Sequence, residues 1–374
     1  MLNSEELLRY QRHLTLPGFG LAAQERLKLG CVLVVGAGGL GCPALLYLAA
    51  AGVGRILIVD PDRVEASNLQ RQVLYTEADV GELKVDVAAR RLQALNPYVA
   101  VLAMADRFRR DNAIEIVQAC DVVIDGSDNF ATRYLVNDAC VMADRPFVYG
   151  AIQGFEGQLS VFNWRGGPTY RCLFPSPPPA ELAPNCAQAG VLGVLPGIVG
   201  TWQAGEAIKL LTGVGEPLSG KVLLWNALTM SVQTVALAVD PASRPIVDLP
   251  AGCEEPACAG SGWEIDATEL RALLGDGSVQ LIDVREDWER AENAILPSLH
   301  VPLGSLDQPG AEDLLAQLRP TTPTVVYCAA GVRSLYAVAI LRGQFGFASA
   351  RSLRGGMHAW MARVSPPGTA TSHE

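Results

Sequence analysis

A glycine-rich loop between a buried strand and a helix is the first feature of this sequence that could do chemistry. The apolar run Cys31 to Val35 leads into the loop Gly36 to Gly41, and a second apolar run ends in Asp60. Backbone N–H groups in such a loop bind phosphate oxygens, and a carboxylate at the end of the next strand commonly binds ribose hydroxyls. The pattern predicts a nucleotide site, and it fits a dinucleotide as well as ATP.

Two cations and a carboxylate downstream of the loop favour one of these nucleotides. Arg71 lies in the segment S-N-L-Q-R-Q that starts at Ser67, Lys84 lies in G-E-L-K-V, and Asp128 with Asn129 follows another predicted strand. Positive groups stabilise a triphosphate and its leaving group, and a carboxylate can hold magnesium. This combination favours ATP and an adenylation reaction.

A single cysteine predicts a second chemistry near the end of the chain. Cys328 follows the apolar strand Thr324 to Tyr327, and Arg333 comes five residues after it, where a helical pattern begins. Backbone N–H groups at a helix N-terminus, with the positive end of the helix dipole, stabilise a thiolate or an anionic persulfide. Cys328 is therefore a candidate nucleophile that carries sulfur.

The elements that must position these residues alternate between strands and helices. This order predicts an α/β fold, a Rossmann-like doubly wound and mostly parallel sheet that antiparallel strands extend after Gly150. The predicted strands are Val32–Val35, Ile56–Val59, Val99–Met104, Val122–Asp125, Gln158–Asn163, Lys221–Asn226 and Ser231–Ala238. The predicted helices between them are Gly41–Ala51, Lys84–Leu95, Asp111–Cys120 and Pro196–Leu211.

A smaller α/β unit follows this first part. Its predicted strands are Val279–Val284 and Thr324–Tyr327, and its helices lie near Thr268–Leu274, Ser334–Gln344 and Met357–Arg363. The stretch between the two parts holds Pro, Gly, Ala and acidic residues with little periodicity, as a linker does. We predict a first domain over residues 1–250, a linker over 251–262, a second domain over 263–366 and a tail over 367–374.

Composition excludes several classes of protein. The 374 residues carry 29 Lys plus Arg against 39 Asp plus Glu, a formal charge of −10, which disfavours direct binding of nucleic acid. The start of the chain lacks the apolar core of a secretory signal, and the apolar stretches are too short and glycine-rich to span a membrane. We therefore expect a cytoplasmic protein without a membrane partner.

The cysteines agree with that compartment. The chain has nine cysteines. An odd number in a large chain without a signal peptide favours reduced thiols over a disulfide framework. Cys31, Cys42, Cys120 and Cys140 lie within or beside apolar segments, so we expect ordinary core residues there.

The first set of motifs resembles one family. The segment Arg9 to His13, the loop Gly36 to Gly41, Ser67 to Gln72, Lys84 and Asp128-Asn129 occur in the order found in the bacterial MoeB and ThiF enzymes, relatives of the ubiquitin-activating enzymes. The resemblance covers roughly residues 7–238. It implies a homodimeric Rossmann-like domain that uses ATP and magnesium to adenylate the C-terminal glycine of a small ubiquitin-like sulfur carrier ending in Gly-Gly.

The resemblance also implies a role for each matched residue. Gly36 and Gly41 shape the loop, the backbone at Gly38 and Gly39 approaches the phosphates, and Asp60 holds the ribose. The segment from Ser67 supplies Asn68 and Arg71, which bind phosphate together with Lys84. Asp128 holds magnesium, Asn129 lines the site, and Arg12 reaches into the site of the partner subunit.

The region from Trp263 to Val364 resembles a single rhodanese domain. The motifs L-I-D-V-R-E from Leu281, C-A-A-G-V-R-S from Cys328 and L-R-G-G-M-H-A-W from Leu353 carry this resemblance. Rhodanese domains carry sulfane sulfur on the loop cysteine. Cys328 and Arg333 are therefore predicted to serve sulfur transfer, with a cysteine desulfurase or thiosulfate as the sulfur donor.

Other cysteines match or break the pattern of the adenylating family. Cys186 corresponds to a cysteine on the loop that crosses the adenylate, where it could attack the acyl adenylate, resolve an acyl disulfide or be structural. Family members commonly bind structural zinc through two C-x-x-C pairs, but Thr169 stands at the first ligand position. At most Cys172, Cys253 and Cys258 could serve as ligands, and we expect free thiols in place of zinc.

Three other functions remain open at this point. An NAD-dependent oxidoreductase would use the glycine loop and Asp60 but leaves Lys84, Asp128 and Cys328 without a role. A non-catalytic adaptor would hold carrier and donor together, with Cys328 as an inert buried thiol. A related dehydratase acting on a tRNA carboxylate fits poorly with the acidic charge. The motifs favour sulfur-carrier activation, and they distinguish neither the carrier nor its pathway among molybdopterin, thiamine, cysteine and tRNA thiolation.

Overall fold

The described residues form two compact units. The computed structural model describes residues 1–177, 190–244, 246, 248–249, 263–275, 277–306, 308 and 310–364. The predicted linker, the tail, Cys186, Cys253 and Cys258 lie outside the described residues. The exact domain boundaries therefore stay predictions.

The first unit is built on an eight-stranded sheet with the order β3-β2-β1-β4-β5-β6-β7-β8. Pairs from β3 through β5 are parallel, and those from β5 through β8 are antiparallel. This arrangement confirms the predicted doubly wound sheet with an antiparallel extension. The strands are β1 (Cys31–Val35), β2 (Arg55–Val59), β3 (Ala100–Met104), β4 (Val122–Asp125), β5 (Phe147–Gln153), β6 (Glu156–Phe162), β7 (Lys221–Asn226) and β8 (Ser231–Ala236).

Helices cover both faces of the parallel part of this sheet. Val32 and Val34 of β1 pack into one hydrophobic cluster, while Leu33 and Val35 pack into a second cluster on the opposite face. A parallel strand buried on both faces reads as a continuous apolar run, as β1 does. The helices of this unit are α1 (Ser4–Arg9), α2 (Gln11–Leu14), α3 (Gly20–Leu29), α4 (Gly41–Ala51), α5 (Lys84–Leu95), α6 (Ala113–Gln118), α7 (Phe130–Met142), α8 (Tyr170–Leu173) and α9 (Val194–Thr212).

The second unit has a five-stranded sheet in the order β11-β10-β12-β13-β9, with every pair parallel. Its strands are β9 (Glu264–Ile265), β10 (Gln280–Asp283), β11 (Leu299–His300), β12 (Thr324–Tyr327) and β13 (Arg351–Leu353). Its helices are α10 (Ala267–Gly275), α11 (Asp287–Glu292), α12 (Leu303–Leu306), α13 (Ala311–Leu315), α14 (Val332–Gln344) and α15 (Gly356–Val364). Side chains alternate along β12, so each face of the sheet has its own hydrophobic cluster.

Several elements were not predicted from the sequence. Helix α7 and strand β5 lie between the predicted strand Val122–Asp125 and the antiparallel strands predicted after Gly150. Gly150 is in fact inside β5, where a Cβ atom would come within 2.6 Å of the Gln203 side chain of α9. The glycine thus permits close helix packing and does not mark the end of a strand.

No helix within the described part of the chain combines the length and apolar character needed to cross a bilayer.

Candidate functional site

The glycine loop of the first unit packs backbone against backbone. Gly36 has a φ of +94°, and a Cβ atom on it would lie 2.8 Å from the carbonyl oxygen of Gly126. A Cβ atom on Gly41 would lie 2.0 Å from the carbonyl oxygen of Gly36. Only glycine fits this close approach between the turns that follow β1 and β4. The loop and the Ser127-Asp128-Asn129 segment therefore share one edge of the sheet.

This packing leaves backbone donors available for a ligand. The carbonyl of Gly38 accepts from the Cys42 N–H at 2.9 Å, which starts the first turn of α4. Within the described residues, no hydrogen-bond partner is present for the N–H groups of Gly38 and Gly39. Unpaired N–H groups at a helix N-terminus are the donors that an anion needs, so phosphate binding by this loop stays a prediction that the geometry allows.

Asp60 connects the end of β2 to this loop. Its Oδ2 accepts the Ala37 N–H at 2.7 Å and its Oδ1 accepts the Asp62 N–H at 2.8 Å, in a side chain that is buried. Burial raises the pKa of Asp60, and the charge of Lys84 opposes that rise. The carboxylate fixes the loop and keeps lone pairs for a hydroxyl ligand.

Lys84, the first residue of α5, lies beside Asp60. Its Nζ pairs with Asp62 Oδ2 at 2.9 Å; the lysine side chain is 7% exposed, whereas that of Asp62 is 61% exposed. Such a pair with one solvated partner contributes little stability. The ammonium is therefore held in place by a counter-ion that a phosphate can replace.

Arg71 also lies against the loop. Its Cγ is 3.6 Å from the position of a Cβ atom on Gly39, and its Nη1 donates to the carbonyl of Ser67 at 3.1 Å. Asn68 ends a short 3-10 turn, and its Nδ2 donates to Ser67 Oγ at 3.3 Å. The structure thus brings Arg71 and Lys84 to the loop, while it places Arg12 on α2 with an exposed side chain.

The residues after β4 have different roles in the structure. Asp128 is exposed, and Asn129 caps α7 because its Oδ1 accepts the Thr132 N–H at 2.8 Å. Asp125, the last residue of β4, is a fully buried carboxylate. It accepts the Ser127 N–H at 3.0 Å and pairs with Arg133 Nε at 3.2 Å. This ion pair holds the turn that presents Asp128.

Asp125 and Arg133 were missed in the sequence analysis. Arg133 is buried, and its guanidinium stacks on the ring of Tyr149 with 5.1 Å to the centroid. The position of Arg133 among apolar residues was a sign in the sequence that it has a buried partner of opposite charge. The identity of that partner depends on the packing of α7 against β4.

Cys328 lies in the second unit between β12 and α14. Its Sγ accepts the Gly331 N–H at 3.2 Å and lies 3.4 Å from Ser334 Oγ, and the side chain is 1% exposed. The N–H donor, the hydroxyl and the start of α14 surround the sulfur as predicted for a persulfide cradle.

Glycines from the segment after β13 support this loop. A Cβ atom on Gly331, whose φ is +90°, would lie 2.6 Å from the Gly355 N atom. A Cβ atom on Gly356 would lie 2.3 Å from the Cys328 carbonyl oxygen, which accepts the Met357 N–H at 2.8 Å. Two of the three motifs that suggested a rhodanese domain, those from Cys328 and Leu353, therefore contact each other directly.

Arg333, at the start of α14, forms an ion pair with a carboxylate of α11. Its guanidinium forms a two-point pair with Glu289, with Nη1 to Oε2 at 2.7 Å. Burial opposes ionisation of Glu289, but the bonds from Arg333 and the Glu286 N–H lower its pKa. Glu289 also lines a groove of about 310 Å³ beside Ala329 of the loop. Arg333 thus orders the wall of this groove.

Backbone N–H groups and a hydroxyl surround the sulfur of Cys172. Its Sγ accepts N–H bonds from Thr169 and Asp240, both at 3.3 Å, and lies 3.2 Å from Ser243 Oγ. Burial opposes ionisation, but the bonds from Ser243, Asp240 and Thr169 lower the pKa of this thiol. Among the described residues, no group of three or more His, Cys, Asp or Glu side chains is arranged to hold a metal. Cys253 and Cys258, the other candidate ligands, lie outside the described residues, so the expectation of free thiols in place of zinc stays a prediction.

Comparison with known families decides the classification. Residues 10–245 match the ThiF family, and residues 266–363 match the rhodanese-like domain. The chain belongs to the ThiF family. It carries a rhodanese domain after the ThiF domain, as the motifs predicted.

Two relatives illustrate both parts of this ThiF-family chain. It is 44% identical to the probable adenylyltransferase/sulfurtransferase MoeZ of Mycobacterium tuberculosis, over 98% of this chain and 95% of the relative. It is 53% identical to the sulfur carrier protein adenylyltransferase of Thermus thermophilus, over 67% of this chain and 97% of the relative. This ThiF-family chain is thus an adenylyltransferase with a sulfurtransferase domain.

Solved structures show the same fold for the first unit. The chain resembles Escherichia coli MccB with a TM-score of 0.57 and 22% identity, over 64% of this chain and 72% of that one. This likeness supports the ThiF-type architecture of the sheet and its helices.

Proposed function

We propose that this protein uses ATP to adenylate the C-terminal glycine of a small ubiquitin-like sulfur carrier, and then replaces the adenylate with sulfur from a Cys328 persulfide. The observation that carries this proposal is a pair of complementary sites on one chain. Among the described residues the N–H groups of Gly38 and Gly39 have no partner, and Lys84 pairs with Asp62, two residues after the Asp60 that binds the same loop. In the second unit, a sulfur with its own N–H donor follows β12.

In the first step, an oxygen of the carrier carboxylate attacks the α-phosphorus of ATP and pyrophosphate leaves. The carboxylate is already ionised at neutral pH, so no general base is needed. Lys84, Arg71, Asn68 and the Gly38–Gly39 backbone would stabilise charge on the phosphates, and Asp60 would hold the ribose. Alignment of the reacting groups and stabilisation of the leaving group therefore supply most of the catalysis.

Magnesium would be held by Asp128 with oxygens of the triphosphate. A single protein carboxylate with phosphate oxygens and water is a common magnesium site, and Asp128 is exposed beside the phosphate loop. The ion neutralises charge on the phosphates when it is bound. Asp125 and Arg133 would keep Asp128 in position through Ser127.

In the second step, the terminal sulfur of a Cys328 persulfide attacks the acyl carbon and AMP leaves, which forms an acyl disulfide. A thiolate then attacks the Cys328 sulfur of that bond, so the carrier departs as a thiocarboxylate and Cys328 enters a new disulfide. Cys186 is our candidate for this thiol. It lies outside the described residues, so sequence resemblance alone supports the role.

The proposal includes the setting of the reaction. We infer a homodimer in which Arg12 of one subunit contacts the nucleotide of the other, because Arg12 is exposed and matches the family motif. A cysteine desulfurase or thiosulfate would load Cys328 with sulfur. We also infer a cytoplasmic location, where ATP and reduced thiols are available. We infer no bound zinc, because Thr169 stands where the family has its first cysteine ligand.

Pyrophosphate exchange with a Gly-Gly carrier tests the first step. Wild type should exchange label between pyrophosphate and ATP only when carrier is present, and Lys84→Ala should lower that rate about 100-fold or more. Lys28→Ala is a matched control, because Lys28 also pairs with a carboxylate, Glu6 at 2.6 Å, but lies outside the site. Intact nucleotide binding without any exchange would overturn the proposal.

A further inference from the structure

Gln72 is a buried polar residue to which neither the sequence motifs nor the reaction above assign a role. It is 4% exposed, and its Oε1 is enclosed without a hydrogen-bond partner among the described residues. The amide Nε2 also forms no hydrogen bond to any described residue. Burial of an unsatisfied amide costs folding free energy, so stability does not explain this side chain.

The surroundings of Gln72 point to the glycine loop. Its Nε2 lies 3.6 Å from the position of a Cβ atom on Gly38, closer than any other side chain outside the loop. The backbone on either side is fixed, because Gln72 N donates to Asn68 O at 2.9 Å and Gln72 O accepts the Tyr75 N–H at 3.1 Å. Tyr75 in turn donates its hydroxyl to the Ala37 carbonyl at 2.8 Å. The amide is therefore held against the loop by a rigid turn.

Three donors meet at this place. The N–H groups of Gly38 and Gly39 have no partner within the described residues, and the Gln72 amide lies beside Gly38. A neutral amide donor adds a directed hydrogen bond to an anion without adding charge. An anionic oxygen bound by the loop would accept from the backbone N–H groups and from Gln72 Nε2.

We propose that the Gln72 side-chain amide binds a phosphate oxygen of ATP at the glycine loop, an inference that rests on the proposed adenylation. Gln72 is then a binding residue for the nucleotide, and its Nε2, which bonds to no described residue, is the donor kept for the phosphate. The loss of the amide should weaken nucleotide binding and should not weaken the fold.

The test is to compare Gln72→Met with Gln24→Met. Gln24 is also fully buried, but its Nε2 donates to the Ala51 carbonyl at 2.8 Å and its Oε1 lies 2.9 Å from His13 Nδ1. Calorimetric titration with a non-hydrolysable ATP analogue and magnesium gives Kd, and thermal unfolding of the nucleotide-free protein gives Tm. Gln72→Met should raise Kd about ten-fold to a hundred-fold with an unchanged or higher Tm. Gln24→Met should lower Tm and keep Kd.

The outcomes separate this inference from the proposed function. If wild type binds no ATP analogue, the adenylation proposal fails together with the role of Gln72. If wild type binds and Gln72→Met binds equally well, only the inference about Gln72 is overturned. An equal Kd with a higher KM for the carrier alone, or a Tm that falls as far as in Gln24→Met, also contradicts it. Gln72→Glu, which places a negative charge beside the phosphates, should bind more weakly than Gln72→Met.

Discussion

Asp60 shows how one carboxylate can serve both the fold and the ligand. Its two oxygens accept the N–H groups of Ala37 and Asp62, so the glycine loop is bound to the end of β2 before any nucleotide arrives. The residue that fixes the loop is also the residue predicted to hold the ribose. The binding of nucleotide should therefore depend on the protonation of Asp60.

We predict that affinity for an ATP analogue falls as the solution is acidified, and that this loss begins at a higher pH than an ordinary aspartate would give. Burial raises the pKa of Asp60 above 3.8, so the group becomes protonated earlier as pH falls and then loses its charge and an acceptor for the ribose hydroxyls. Titrations between about pH 4 and pH 7 measure this effect. Asp60→Asn should bind weakly and should lack this acid limb.

An identical pH profile in wild type and Asp60→Asn would contradict this role for Asp60.

At the residue level, the sequence was sufficient where chemistry depends on local spacing. The glycine loop, Asp60, Lys84 and Cys328 lie where the sequence placed them, because each follows a strand or begins a helix. Their roles stay predictions. Partners from distant segments were not recognised, as for the contact between Cys172 and Ser243, which are 71 residues apart. Such pairs form only when separate elements pack together.

At the scale of elements, the close contact of two turns positions the nucleotide site. The turn after β1 and the turn after β4 touch through Gly36, Gly41 and Gly126, with no space for a side chain. This contact brings the phosphate-binding N–H groups and the segment with Asp128 to the same edge. The geometry of the site therefore depends on small residues in the loop.

We predict that Gly41→Ala lowers the free energy of unfolding by about 2 kcal/mol or more, because the added Cβ atom would lie 2.0 Å from the Gly36 carbonyl oxygen. Gly205→Ala in α9 is the matched control. A Cβ atom there meets nothing within 4 Å, so alanine should raise stability by about 0.5–1 kcal/mol. Denaturant unfolding followed by circular dichroism measures both.

Equal stability of the two variants would show that the loop can move apart and does not hold the geometry described.

The boundaries of many elements could be predicted from the sequence. The helices Gly41–Ala51 and Lys84–Leu95 and the strand Val122–Asp125 begin and end where the patterns placed them. Helix α7 and strand β5 could not be found, because Gly150 and the charged Arg133 interrupt the apolar pattern. Both interruptions are explained by contacts with α9 and β4 that the local sequence does not reveal.

At the scale of the whole molecule, one chain combines a ThiF domain with a rhodanese-like domain. Each site lies in its own unit, and each unit has its own hydrophobic clusters. The order of the two family matches explains why motifs alone gave the correct architecture. The proposed dimer can be tested separately, because Arg12 of one subunit would contact the nucleotide of the other.

We predict that Arg12→Ala and Lys84→Ala, each inactive in pyrophosphate exchange, complement one another when they are co-expressed with different tags. In a mixed dimer, one site would combine Lys84 of its own subunit with Arg12 of the other. With random pairing, about a quarter of the wild-type sites should be restored. Co-expressed Lys84→Ala subunits with two tags, which contain no complete site, serve as the control.

No recovery in purified mixed dimers would contradict a shared site.

The most direct test of the central claim is the intact mass of candidate Gly-Gly carriers after incubation with the protein, ATP, magnesium, a sulfur donor and a thiol reductant. Wild type should convert its carrier into a species with one oxygen replaced by sulfur. Cys328→Ser should still support pyrophosphate exchange but leave the carrier mass unchanged, while Cys140→Ala, which removes a buried thiol from α7, should act as wild type does. A thiolated carrier formed equally well by Cys328→Ser, or no thiolation by wild type despite adenylation and a loaded Cys328, would contradict the account.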